Sequence, residues 1–78
     1  MVDETAVVEA AATAAQEVIF SRLGRDAVTD LDVRVTFEAD RLEVDVYVEA
    51  PDADEDDVRQ VVDDAALAAR AAADDCLA

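Results

Sequence analysis

Histidine, tryptophan and lysine are missing from the 78-residue sequence, and cysteine, glycine and proline each occur once. Without histidine, and with a single thiol, the chain lacks the residues that usually bind a transition metal. One glycine is too few for a glycine-rich phosphate loop. Ser21 has no histidine or lysine anywhere in the chain to activate its hydroxyl. We therefore expect a protein that is not an enzyme and that has no catalytic residue, no cofactor and no metal site.

Two features of the sequence, its single cysteine and its lack of a long apolar run, indicate where the protein is located. Cys76 has no second cysteine for an internal disulfide, which is typical of a reducing cytosol. It lies in an apolar helical stripe, so we expect a small, slowly reacting core residue. The chain begins with acidic residues rather than a basic leader, and acids interrupt every candidate membrane span. We expect a cytoplasmic protein with no membrane partner.

Acidic residues dominate the charge, because 21 Asp and Glu against 6 arginines give a net charge of −15. Hydrophobic residues still make up 54% of the chain, which is typical of a folded domain. In molar salt the screening length falls to about 3 Å, which removes most repulsion between exposed acids. The composition indicates a halophilic surface. The acidity could instead belong to a nucleic-acid mimic or a cation-binding patch, or could result from the codon usage of a GC-rich genome. Since the arginines are scattered, we expect no direct nucleic-acid partner.

The strongest pattern is a strict alternation of apolar and polar residues between Leu31 and Ala50. Two alternating runs, 31–39 and 42–50, are separated by Asp40 and Arg41. They predict an antiparallel β-hairpin with one buried face. A connecting loop of two or four residues keeps the apolar side chains on that face. Asp-Arg is a poor sequence for a tight turn, which favours four residues.

The four-residue loop predicts the neighbours on the outer face of the hairpin. It sets Glu38 opposite Glu43 and Arg34 beside Tyr47. Like charges in direct opposition are unfavourable in dilute buffer and tolerable in high salt. Tyr47 is a candidate interface residue; the alternative is that it only covers Arg34.

Amphipathic patterns on both sides of the hairpin predict two helices. Asp3 is the expected cap of the first, which ends near Leu23 with Gly24 in the left-handed conformation. Phe20 and Leu67 lie outside the apolar stripes, so we mark both as candidate interface residues. The stripes consist of Val7, Val8, Ala11, Ala14, Ala15, Val18 and Ile19 on the first helix, and Val58, Val61, Val62, Ala65, Ala69, Ala72, Ala73 and Cys76 on the second.

An acidic segment after Pro51 begins the second helix, with Asp52 or Asp54 as its cap. The segment is similar to the start of an EF-hand calcium loop. Asp57 stands where that loop needs glycine, and Asp63 stands where it needs a bidentate glutamate. We therefore expect a helix start and no specific calcium site.

These elements predict one αββα domain over residues 1–78, an α+β fold with both helices on one face of the hairpin. With Asp30-Leu31-Asp32-Val33 opening the hairpin, the chain resembles a family of small uncharacterised archaeal proteins, a domain of unknown function with this element order. Its acidic, lysine-free composition is similar to that of haloarchaeal proteins. Family members are encoded near the β subunit of prefoldin and a small subunit of a tRNA-modification complex. The resemblance implies a role in protein or RNA maintenance and carries no catalytic residues.

A lone hairpin in so small a chain predicts self-association, because two-stranded sheets are weak and their edges are open. We expect a homodimer that joins two hairpins edge to edge into a four-stranded sheet carrying four helices. Phe20 and Leu67 would then contact the partner's helices, so Phe20→Asp and Leu67→Asp are each expected to weaken association.

The expected function is that of a small non-catalytic accessory protein that homodimerises and binds another protein. The alternative is a nucleic-acid-associated subunit of a larger assembly, in translation, tRNA modification or chaperone work. A small enzyme is a distant third.

Overall fold

The computed structural model describes residues 3–39 and 41–77. Two helices enclose two strands in sequence, in the order α1 (Glu4–Leu23), β1 (Asp30–Glu38), β2 (Arg41–Glu49) and α2 (Glu55–Leu77). The strands form an antiparallel two-stranded sheet, with α1 packed mainly on β1 and α2 mainly on β2. The predicted α+β fold and αββα order are confirmed.

Both helices begin at predicted capping residues, and α1 also ends at the predicted one. The carboxylate of Asp3 accepts a hydrogen bond from the N–H of Thr5 at 3.0 Å. Asp54 does the same for the N–H of Asp56 at 3.1 Å, which identifies it as the cap of α2. Gly24 ends α1 with a φ of 82°, a conformation that residues with a Cβ rarely adopt.

The fully buried core lies between the two helices rather than between helices and sheet. Buried residues recur every four positions on each helix, and most of them are alanines, so the backbones approach closely. These residues are Val7, Ala11, Ala15 and Ile19 on α1, and Val61, Ala65, Ala69 and Ala73 on α2.

The apolar face of the hairpin packs against this core but is only partly covered. Each strand alternates between exposed and half-buried residues, and none of its apolar side chains is fully buried. The fully buried face expected from the alternation is therefore half-buried in the single chain. Its members are Leu31, Val33, Val35, Phe37, Leu42, Val44, Val46 and Val48.

The strand register contradicts the predicted four-residue loop. Glu38 pairs with Arg41 rather than opposing Glu43, so two residues connect the strands. The first of them, Ala39, has a φ of 51°, the left-handed conformation that tight hairpin turns require. The second, Asp40, lies outside the described residues.

The tighter register replaces the predicted repulsion between Glu38 and Glu43 with attraction, while Asp30 still faces Glu49 at the other end of the strands. Arg34 faces Asp45 rather than Tyr47, and Glu38 faces Arg41. Cross-strand pairs of opposite charge contribute roughly 0.2–1 kcal/mol each. That gain is comparable with the 1–2 kcal/mol or so that a left-handed alanine costs, which explains how the strands are joined by two residues without a glycine.

Candidate functional site

The open edges of the sheet are the candidate site, because the chemistry available there is main-chain hydrogen bonding. In the described residues each strand pairs on one side only, so its other side carries unpaired N–H and C=O groups. Each edge also has a helix beside it, α1 along β1 and α2 along β2. The two edges therefore differ in their outer-face side chains and in the helix flank next to them.

The β2 edge adjoins an apolar groove. The groove has a volume of about 680 Å³ and lies between the end of β2 and the first turns of α2. Glu49, Glu55 and Arg59 supply its polar rim. Its apolar lining consists of Val48, Ala50, Pro51, Ala53, Val58 and Val62. The alternation in the sequence predicted that Val48 lies on the apolar face. The groove could not be predicted, because it forms only where the end of β2 lies beside α2.

The β1 edge adjoins a smaller depression at the opposite end of the sheet. There Phe37 lies beside Val8, with Glu4, Thr5 and Glu9 around them.

The exposed side of α1 carries unusually little charge for so acidic a chain. Four of its twenty residues are charged, whereas α2 has nine among twenty-three. A helix without a charged face is typical of one that is covered on more than one side. The charged residues are Glu4, Glu9, Glu17 and Arg22 on α1, and Glu55, Asp56, Asp57, Arg59, Asp63, Asp64, Arg70, Asp74 and Asp75 on α2.

Phe20 lies in a stripe on α1 that carries one charged residue, Glu9. Glu9, Thr13 and Gln16 precede it at helical spacing, and the stripe starts beside Phe37 of β1. Phe20 is half-buried, and the guanidinium carbon of Arg25 lies 5.2 Å from its ring centroid. The ring is thus partly covered by its own chain through a cation–π contact.

Leu67 lies in a charged stripe on α2. Asp63, Arg70 and Asp74 are its neighbours at helical spacing, and its side chain is 65% exposed. The stripe begins at Arg59, beside the β2 groove. Phe20 and Leu67 are therefore not brought together: one lies on the α1 side and the other on the α2 side.

Tyr47 projects from the outer face of the sheet and is 52% exposed. Its hydroxyl donates a hydrogen bond to Glu49 Oε2 at 3.1 Å, and its strand partner is Asp32. This hydrogen bond and the negative charge of Glu49 raise the pKa of Tyr47 above the ordinary value of 10.0. The predicted position of Arg34 beside Tyr47 is wrong, because Arg34 faces Asp45 across the strands; its side chain bonds to Asp32 at 3.1 Å.

No group of three potential metal ligands forms among residues 3–39 and 41–77. Cys76 is free and half-buried against the core rather than fully buried. Over the same ranges, neither helix has the length and apolarity needed to cross a membrane.

Comparison with known proteins identifies relatives. An uncharacterized protein from the haloarchaeon Natronomonas pharaonis is 44% identical over 69 residues, which cover 88% of this chain and 81% of that protein. No solved structure matches the chain. The family model described as a protein of unknown function, DUF3194, matches residues 3–76. The resemblance inferred from element order and composition is confirmed, and the chain belongs to the DUF3194 family.

Proposed function

We propose that the protein is a small, non-catalytic cytoplasmic accessory subunit that forms a homodimer and binds another protein. The observation that carries this proposal is a half-covered apolar sheet face between two open strand edges. Such a surface offers main-chain hydrogen bonds together with apolar contacts, which is how proteins capture an extended segment of a partner.

The groove beside β2 is the binding site for this other protein in the proposal. An extended segment added to β2 would place alternate side chains over Val48 and against Val58 and Val62. Glu49 and Glu55 at the rim favour a segment that carries basic residues. The same acids, within a chain of net charge −15, disfavour direct contact with nucleic acid.

A capture experiment in molar KCl tests the proposal. Tagged wild-type protein is incubated with lysate of a haloarchaeal relative, in one arm treated with nuclease and in one untreated. We expect the same protein to be retained in both arms and to be lost with Val62→Asp. Gln60→Asp, an exposed change on the same helix, is the control and should retain it; circular dichroism checks that both variants fold.

Retention only in the untreated arm would support the nucleic-acid-associated alternative instead. Retention that is equal with Val62→Asp and wild type would show that the groove is not the binding site.

A further inference from the structure

We propose that the second copy in the homodimer docks on the α1–β1 side, with β1 of each copy pairing antiparallel across a two-fold axis at Val33. This inference rests on the dimer in the proposed function and adds which edge makes it. It leaves the β2 edge and its groove free for the other protein.

The first argument is the distribution of charge. Two copies of net charge −15 repel each other, so their contact is favoured where charges are fewest. The flank of α1 beside β1 presents Thr5, Thr13, Gln16 and Phe20, with Glu4 and Glu9 as its acids. The corresponding flank of α2 presents Arg59, Asp63, Arg70 and Asp74. The α1 flank therefore brings fewer charged side chains into the contact than the α2 flank, whose two arginines and two aspartates sum to zero net charge but would all lose water on contact.

The second argument is the set of registers that β1 allows with itself. Apolar and polar faces match only if the two-fold axis passes through a residue. An axis at Val33 sets Arg34 opposite Asp32 of the second copy, and symmetry makes that pair twice. The same register sets Thr36 opposite Asp30. Each of these pairs is attractive or neutral.

Neighbouring registers of β1 are less favourable. An axis at Arg34 opposes the two copies of that arginine and sets Asp30 against Glu38. An axis at Asp32 opposes two aspartates, and an axis at Val35 sets Asp32 against Glu38. Like charges in direct opposition destabilise a strand pair, which disfavours these three registers. An axis at Thr36 pairs Arg34 with Glu38 of the second copy, but it overlaps only residues 34–38 of each strand instead of 30–36. Charge and overlap together therefore select the axis at Val33.

The β2 edge offers no such register. An axis at Asp45 pairs Arg41 with Glu49 twice but opposes two aspartates at its centre, and an axis at Val44 sets Glu43 against Asp45. An axis at Val46 sets Glu43 against Glu49. Every central register of β2 with itself therefore opposes acids, which disfavours a second copy at this edge.

Docking on the α1–β1 side gives Phe20 and Leu67 different roles, although both were marked as interface residues from the sequence. Phe20 lies on the α1 flank and would be covered by α1 of the second copy, whereas Leu67 lies in a charged stripe on α2. Phe20 and Leu67 were both expected to contact the partner's helices; in this arrangement only Phe20 does so. A single exposed leucine such as Leu67 is common on protein surfaces and needs no partner.

Disulfide trapping tests the edge directly. Residues opposite one another in an antiparallel pair have Cα atoms about 4.5–5.5 Å apart, a separation that suits a disulfide. Val33→Cys, in a Cys76→Ala background, should therefore give a covalent dimer under mild oxidation in molar KCl. Val46→Cys is the matched control, because Val46 faces Val33 in the hairpin and is equally half-buried.

The outcomes separate this inference from the proposed dimer. A monomeric mass for the wild type by light scattering overturns both. A dimeric wild type with no Val33→Cys cross-link, or with equal cross-linking through Val46→Cys, overturns the edge assignment alone. A cross-link through Val33→Cys only, located by mass spectrometry, supports it.

A second test needs no change at the apolar face. Arg34→Asp should weaken dimerisation roughly tenfold at moderate salt, since it sets two pairs of acids in opposition. Adding Asp32→Arg restores opposite charges across the axis and should return the affinity to near the wild-type value. Glu43→Arg on β2, which faces Thr36 rather than a charged residue, is the control and should leave it unchanged; equal weakening by Glu43→Arg would contradict the proposal.

Discussion

At the scale of single residues, Tyr47 reports on the outer face of the sheet. It is the only tyrosine, and the chain has no tryptophan, so an absorbance titration measures its pKa alone. The hydrogen bond to Glu49 and the negative charge of Glu49 raise the pKa of Tyr47. The hydrogen bond therefore contributes its full stability at any pH below the ordinary tyrosine pKa. The contribution is lost as pH rises through the raised value.

Glu49→Ala should therefore move the titration midpoint of Tyr47 down toward its ordinary value. Glu43→Ala, an acid on the same strand that does not bond to Tyr47, is the control and should leave the midpoint near that of the wild type. An identical midpoint in Glu49→Ala and the wild type would show that the bond to Glu49 does not form.

Cys76 gives a second measurement at this scale. Its side chain packs against the core while remaining half-buried, so the native protein should react with a thiol reagent more slowly than the denatured protein. Rates are compared in molar KCl with and without denaturant. Equal rates would mean that the end of α2 does not pack as described.

At the scale of elements, two residues with positive φ lie in the connections between helices and strands. Ala39 in the hairpin turn has a φ of 51°, and Gly24 at the end of α1 has a φ of 82°. Ala39→Gly relieves the left-handed strain and should stabilise the fold by about 1 kcal/mol. Gly24→Ala should destabilise it by roughly 1–3 kcal/mol, although a Cβ there meets no atom within 4 Å.

Urea denaturation at fixed salt and protein concentration measures both changes. Because the space at Gly24 is open, a loss on Gly24→Ala comes from the backbone alone. Destabilisation by Ala39→Gly would contradict the two-residue turn.

At the scale of the whole molecule, charge makes folding depend on salt. A chain of net charge −15 repels itself most strongly in its compact state. Molar KCl shortens the screening length to about 3 Å, so the thermal midpoint should be higher there than in dilute buffer. Protein concentration is held constant, because dimerisation also shifts the midpoint. A midpoint that is unchanged or lower in molar KCl would contradict the halophilic interpretation.

Much of the architecture followed from local patterns. Period-two alternation predicted both strands, and helical spacing with Asp3 and Gly24 predicted the ends of α1. These signals are local, since each depends on residues a few positions apart. The length of the turn was predicted wrongly. A two-residue turn strains Ala39, and this cost is offset by two pairs between the strands, Glu38 with Arg41 and Arg34 with Asp45. Such pairs depend on the register and are not visible in the turn sequence alone.

The sequence by itself determined the elements, their order, the acidic surface and the shortage of catalytic residue types. Tertiary structure decided the register, the alanine-lined contact between the helices, the half-covered sheet face and the groove beside β2. It also separated Phe20 from Leu67, which the sequence marked alike. The physical reason is that edges and flanks exist only once strand and helix lie side by side, and that arrangement depends on contacts between residues far apart in the chain.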